Sequence, residues 1–324
     1  MTALAITGIG GFIGLRMAQR ARAMGWTVRG LDHAQVAATR ARDAGAEVVV
    51  GDVNDSEALR AAFAGADIVF HTAAVVEEDG PREHYERINV EGTRHVARIA
   101  AELGVRRLVH LSSVMVYGFD YPDGVGEDGP FRDDGNIYNE TKLRSEQVAM
   151  AAHRPGGLEV IVIRPGDVYG AGSQPWVQRP LQMIGQGLFM LPDGGRGVIN
   201  HVHVDNLIDG ILLALERSAT GEAFTISDGV ATPCRAFFGW HARMAGRRLR
   251  SVPSWLLLPL IGGVGVAYRL FGRKPPASTA AIRFLMRRGA YSIDKARRVL
   301  GYVPRITLEQ GMRSIAAELG RPLD

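Results

Sequence analysis

Eight residues near the start of the chain, Thr7-Gly8-Ile9-Gly10-Gly11-Phe12-Ile13-Gly14, limit what it can fold into. They follow a short apolar run at 3–7 and open a stretch with helical apolar spacing at 12–23. Gly8 permits a tight strand-to-helix turn, Gly11 lets backbone approach a pyrophosphate, and Gly14 lets the helix pack closely on a sheet. The helix behind the turn, beginning at Phe12 and Ile13, offers free N–H groups and the positive end of its dipole to phosphate. Glycine is abundant here, 40 of 324 residues, so the motif alone would be weak. Its place between strand and helix makes Gly8, Gly11, Phe12, Ile13 and Gly14 a candidate dinucleotide site.

Short apolar runs at 27–31, 47–50, 68–71, 107–112 and 160–164 then alternate with helical patterns near 55–63, 82–103 and 138–153. That alternation predicts an α/β chain with a doubly wound parallel sheet of Rossmann type. Asp32 ends the second run, where a carboxylate accepts hydrogen bonds from the adenosine ribose and repels a 2′-phosphate, so NAD is expected over NADP. Asp52 and Val53 follow the third run, where an adenine ring would rest. After Arg164 the regularity fades: Pro175, Pro180, Pro192 and the Gly-rich run at 193–197 mark loops, and a helix closes the chain near 308–319. The expected division is a nucleotide domain, 1–170 with a returning segment at about 201–227, and a smaller substrate lobe built mainly from 171–324.

Composition removes several classes. With 46% hydrophobic and 22% charged residues, the chain is neither a disordered tail nor a polytopic membrane protein. Cys234 is the single cysteine, so no internal disulfide is available and a reducing, cytoplasmic setting is expected. The first residues lack the basic-then-apolar make-up of a secretory signal. The net charge of +4 hides an asymmetry, because residues 235–324 carry 17 Lys and Arg against four acids. No aromatic-interleaved stripe or nucleic-acid motif accompanies them, so they read as a solvated face and no nucleic-acid partner is expected. His201 and His203 lack Cys or acidic companions at ligand spacing, and no metal site is expected.

Tyr138 and Lys142, four apart in Tyr138-Asn139-Glu140-Thr141-Lys142, fall on one helix face. A free phenol titrates near ~10, and an ammonium one turn away favours the phenolate, which suits proton transfer. Ser113, at the end of the fifth strand, is placed to hydrogen-bond a substrate oxygen. The segments TGIGGFIG (7–14), GDVND (51–55), HTAAV (71–75), INVEGT (88–93), LSSVMVYG (111–118), YNETK (138–142), RPGDVYG (164–170) and HVHVDN (201–206) make the chain resemble an extended short-chain dehydrogenase/reductase over essentially its whole length. The resemblance implies Tyr138 as acid/base, Lys142 on the nicotinamide ribose, and Ser113 orienting the substrate. It places Ala73, Ala74, Pro165 and Val168 around the cofactor, and Asn89, Val114 and Met115 beside the substrate. It also implies a homodimer through two sheet-flanking helices.

Within that family, 191–216 and 291–312 resemble the 3β-hydroxysteroid dehydrogenase-like branch. The 17 residues from Val252 to Tyr268 carry no charge, as a lining for an apolar substrate would require. The expected activity is NAD-dependent interconversion of a secondary alcohol and a ketone on a hydrophobic, steroid-like molecule. Two other readings of 252–271 stand beside it: plain core, or peripheral contact with an anionic membrane through flanking Arg248, Arg250, Arg269, Arg273 and Lys274. The run is shorter than the ~20 residues that span a bilayer, and Pro259 with three glycines is expected to break it. The alternative activity is a nucleotide-sugar 4-epimerase, whose diphosphate needs cations, with Arg196 and Arg235 as candidates. The Gly- and Asp-rich loop 119–135 is expected to cover the site as a mobile segment.

Overall fold

The computed structural model describes residues 1–76, 80–271 and 278–323, without the side chains of 269 and 270. The alternating half runs β1 (Ala3–Thr7), α1 (Phe12–Ala23), β2 (Thr27–Asp32), α2 (Gln35–Asp43), β3 (Glu47–Val50), α3 (Ser56–Phe63) and β4 (Ile68–His71). Next come α4 (Arg82–Tyr85) and α5 (Gly92–Glu102), joined by a π-turn at Glu86–Glu91, then β5 (Arg107–Leu111), α6 (Ile137–Ala151) and β6 (Glu159–Pro165). Shorter pieces follow: β7 (Asp167–Tyr169), α7 (Arg179–Gly185), β8 (Met190–Pro192), β9 (Val198–Ile199), β10 (His201–His203), α8 (Val204–Glu216) and β11 (Glu222–Ile226). The remainder is β12 (Thr232–Pro233), α9 (Cys234–Met244), β13 (Arg250–Val252), α10 (Ser254–Leu270), α11 (Thr279–Phe284) and α12 (Leu308–Glu318).

Seven strands form one sheet in the order β11-β6-β5-β4-β1-β2-β3, and every pairing in it is parallel. Successive side chains leave a strand on opposite faces, and here both faces are apolar. Leu4, Ile6, Ile68, Phe70, Val109, Ile161 and Ile163 pack with Met17 of α1 and Leu207 and Ile211 of α8. Ala5, Val69, Leu108, Val160 and Val162 pack on the other face with Leu59 of α3, Val96 and Ile99 of α5, and Ala149 of α6. The chain builds outward from β1 in one direction and from β4 in the other. This reversal opens a crevice at the carboxyl ends of β1 and β4, the place where such sheets bind ligands.

Two elements depart from expectation. The helical pattern at 82–103 contains a π-turn, so it is not one regular helix. The run at 252–271 is not broken: α10 continues through Pro259, which lies in its second turn and costs it a backbone hydrogen bond. The side chain of Arg269, and Arg273 and Lys274 altogether, lie outside the described residues.

Two histidines sit in the middle of the sheet. His71 and His110 are paired residues of β4 and β5, with ring centroids 5.4 Å apart. His71 shares hydrogen bonds with Thr7 Oγ1 at 2.7 Å and Thr93 Oγ1 at 2.9 Å. Burial, helped by the charge of Lys142, lowers His71 to about 3, and burial holds His110 well below its ordinary value. The unfolded chain therefore binds more protons than the folded one as pH falls below ~6.5, and stability falls with it. The loss for His71 alone is roughly 1.4 kcal/mol per pH unit down towards its folded pKa. Urea midpoints followed from neutral pH downward should fall less steeply in His71→Gln than in the wild type; equal slopes would contradict the assignment.

Candidate active site

A cavity of about 1000 Å³ opens over the crevice between β1 and β4. It is lined by Gly8, Gly11, Phe12, Ile13, Gly14, Asp32, Asp52, Val53, Ala73 and Ala74 on one side, and by Ser113, Val114, Met115, Tyr138, Lys142, Pro165 and Val168 on the other. In the glycine turn, a Cβ on Gly14 would lie 2.3 Å from the Gly8 carbonyl oxygen. A Cβ on Gly10, a position the motif argument did not assign, would lie 2.2 Å from the Ala37 carbonyl oxygen, so this glycine seats the turn against α2. No side chain caps α1, which leaves its first-turn N–H groups open to an anion. Asp32 is buried, accepting hydrogen bonds from the amides of Gly10 at 3.0 Å and Ala34 at 3.1 Å. Those bonds fix its carboxylate beside the glycine turn. Asp52 pairs with Arg87 at 2.9 Å and accepts from Asn54; partial burial alone would raise its pKa, but these bonds bring it below the ordinary carboxylate value.

The opposite wall is set by two caps. Asn136 caps α6 by accepting from the amides of Tyr138 (2.9 Å) and Asn139 (3.2 Å), so the helix starts immediately before Tyr138. Ser113 has extended backbone, and its Oγ accepts from the Met115 amide at 3.1 Å, which leaves its own proton free to donate. Lys142 is buried and gives one proton to the Leu111 carbonyl at 2.7 Å, keeping two further donors. Burial lowers Lys142 to about 8, against the raising effect of Glu146. Desolvation raises the Tyr138 phenol above its ordinary value, while the Ser113 hydroxyl pulls it the other way.

Behind this wall, Arg164 of β6 donates from Nε to Glu146 of α6 at 3.0 Å, and from Nη1 to the Tyr117 hydroxyl at 2.8 Å and the Glu127 carbonyl at 2.7 Å. Ser112 donates to the same Glu146 carboxylate at 2.7 Å. Asn139 is fully buried on the cavity lining, and its side-chain amide has no hydrogen-bond partner among the described residues.

The structure corrects four expectations. Asn89 does not line the cavity: it accepts from the Val75 amide at 2.7 Å and donates to the Val75 carbonyl and Thr141 hydroxyl, so it fixes the segment after β4 instead of meeting substrate. The loop 119–135 is tied down, with Tyr121 donating to the Gly289 carbonyl, Arg164 to the Glu127 carbonyl, and Val125 bridged to Tyr291. Of that loop only Phe119 lines the cavity. The Tyr138 phenol is raised by desolvation, and the group that pulls it down is the Ser113 hydroxyl and not Lys142. Arg196 and Arg235 line no part of the cavity.

The geometry is that of a dinucleotide site joined to a Tyr/Lys/Ser cluster. The model of the NAD dependent epimerase/dehydratase family matches residues 4–227, and the chain belongs to that family. It is an enzyme of the extended short-chain dehydrogenase/reductase type, with NAD as its cofactor. A 4-hydroxy-2-methyl-3-oxo-4-farnesyl-3,4-dihydroquinoline-1-oxide ketoreductase of Stigmatella aurantiaca is 29% identical, over 96% of this chain and 94% of its own. A 3-beta-hydroxysteroid dehydrogenase of Mycolicibacterium neoaurum is 30% identical, over 95% of this chain and 88% of its own. MoeE5, solved in complex with UDP-glucose and NAD, shares the fold, with 24% identity, 98% coverage of both chains and a TM-score of 0.77.

The residues present fit NAD: the uncapped first turn of α1 offers its N–H groups to a diphosphate, and the Asp32 carboxylate is held beside the glycine turn. Removing a hydrogen bond to a charged group costs about 1.5–3 kcal/mol. Asp32→Ala should therefore weaken NAD binding by about 10–100-fold in calorimetric titrations and relax discrimination against NADP. An unchanged preference for NAD would contradict the assignment.

Proposed function

We propose that the enzyme interconverts a secondary alcohol and a ketone on an apolar, fused-ring substrate such as a steroid. One observation carries this reading: from Pro180 onward, every described residue lining the cavity is apolar. Phe189, Phe238, Leu257, Ile261 and Phe284 are among the residues lining that half of the cavity. The segments after residue 170 act as the substrate lobe in this account. The basic final quarter of the chain contributes none of its described charges to the lining. Arg287 lies behind the lining residues Met115 and Asp167, with its guanidinium spent on Asp167 at 2.8 Å and Tyr291 at 3.1 Å. Arg179 lines the cavity immediately before this apolar stretch and is the cation a nucleotide-sugar diphosphate would have to use there; burying the rest of its charge unpaired is costly. The two relatives named as acting on a steroid and on a farnesylated quinoline oxide support an apolar substrate.

In the oxidative direction, Tyr138 Oη takes the proton of the substrate hydroxyl while the carbinol hydrogen leaves as hydride. NAD, when bound, supplies the hydride acceptor. Ser113 donates its free proton to the same oxygen and holds it against Tyr138. Lys142, charged at neutral pH, turns its two remaining donors to the nicotinamide ribose. In the reverse direction Tyr138 returns the proton. Desolvation keeps the phenol protonated, so ketone reduction has its donor ready, whereas oxidation needs the phenolate.

Oxidation should therefore speed up as pH rises, and ketone reduction slow down. In an assay with NAD and a 3β-hydroxysteroid, NADH should form in the wild type. Tyr138→Phe should lose roughly 10²–10⁴-fold in rate, the usual share of a positioned acid/base group, while still binding NAD. Epimerised UDP-glucose without net NADH, and no oxidation of the steroid, would replace this reading with the nucleotide-sugar one.

A further inference from the structure

We propose that α10 and the arginines preceding it form a face that docks on an anionic lipid bilayer, with the mouth of the substrate cavity opening into that face. Trp255 and Phe271 are 73% and 81% exposed, and Leu256, Leu260, Val266 and Tyr268 are exposed with them. Six large exposed apolar side chains within 17 residues are unusual on a chain that meets only water. Its make-up, with Trp, Tyr and Phe among aliphatic side chains, suits the boundary between lipid headgroups and acyl chains. Among the described residues no helix is long and apolar enough to cross a membrane, so the contact lies along the surface.

Charge points to the same partner. From Gly229 to Ile293 the sequence contains no Asp or Glu. Arg247, Arg248 and Arg250 are exposed and line a second cavity of about 450 Å³ together with Gln186, Gly187 and Phe189. None of the three has a carboxylate within ion-pair distance among the described residues. Phe189 also lines the substrate cavity, and its neighbour Leu188, 60% exposed, lines that cavity as well. Leu260 of α10, 54% exposed, does the same from the helix side. Leu188 and Leu260 thus mark an exposed part of the cavity lining between the arginines and the apolar helix, which we take as its mouth. A second copy of the chain is the poorer occupant, because a two-fold contact through this face would bring the same unpaired arginines towards one another. Lipid anions meet the arginines and acyl chains meet α10, and a substrate dissolved in the bilayer reaches the mouth without crossing water. The docking stands on the surface alone; the delivery of substrate rests on the apolar-substrate reading above.

The test is flotation of the NAD-loaded full chain with phosphatidylcholine vesicles, with and without phosphatidylglycerol. The protein should float with the anionic vesicles and not with phosphatidylcholine alone. Arg247→Gln with Arg248→Gln should weaken the partition about fivefold per arginine, and Trp255→Ser with Val266→Ser should weaken it independently. NAD titration of each variant confirms that it is folded. Absence of flotation, or variants that float like the wild type, would overturn the proposal. So would a dimer that Trp255→Ser dissolves in a protein that ignores vesicles. Flotation without turnover of any steroid would leave the docking in place and defeat the substrate reading.

Discussion

The guanidinium of Arg164 is enclosed in the protein, and each of its contacts restrains a different part of the site. Glu146 brings α6 against β6, and α6 carries Tyr138 and Lys142. The same carboxylate takes the Ser112 hydroxyl, fixing the turn that presents Ser113. Tyr117 and the Glu127 carbonyl complete the shell and hold the loop after β5. A buried charge is tolerated only when its partners are all present; removing one leaves the other uncompensated, at a cost of about 3–5 kcal/mol. The placement of Ser113 and Tyr138 is therefore held by a charge pair in the wall behind them as well as by their own caps.

The cavity has two chemical characters. The half over β1 to β4 is polar, with Asp32 held by amides, Asp52 paired to Arg87 and the open end of α1, all suited to a charged, hydroxyl-rich cofactor. Beyond Pro180 the lining is apolar. Tyr138, Ser113 and Lys142 line the same cavity in a desolvated place, where hydrogen bonds to a developing charge would be strong. The same desolvation raises Tyr138 and lowers Lys142, both towards their neutral forms.

Much of this was legible in local spacing. The glycine turn declares itself because three functions of glycine fall within eight residues, and the strands because both faces of the sheet demand apolar side chains. Tyr138 and Lys142 declare themselves because a helix turn is a fixed distance. Contacts between distant elements were not legible. Nothing in the pattern reveals that Asn89 turns to Val75, or that Tyr121 reaches Gly289, 168 residues away. Arg164 and Glu146 look like two ordinary surface charges until the sheet buries them. Pro259 looks like a breaker, yet near the start of α10 the helix tolerates the lost bond. The sign of the Tyr138 shift depends on how much water the fold removes, which spacing does not encode.

The apolar half of the cavity is the proposed place where substrate is reduced or oxidised. The direct measurement is mass spectrometry of a 3-ketosteroid incubated with the enzyme and NADH carrying deuterium at the transferable position. One deuterium on the carbinol carbon of the product is the predicted result. A ketosteroid recovered unreduced and unlabelled, under conditions where the enzyme binds NADH, would contradict it.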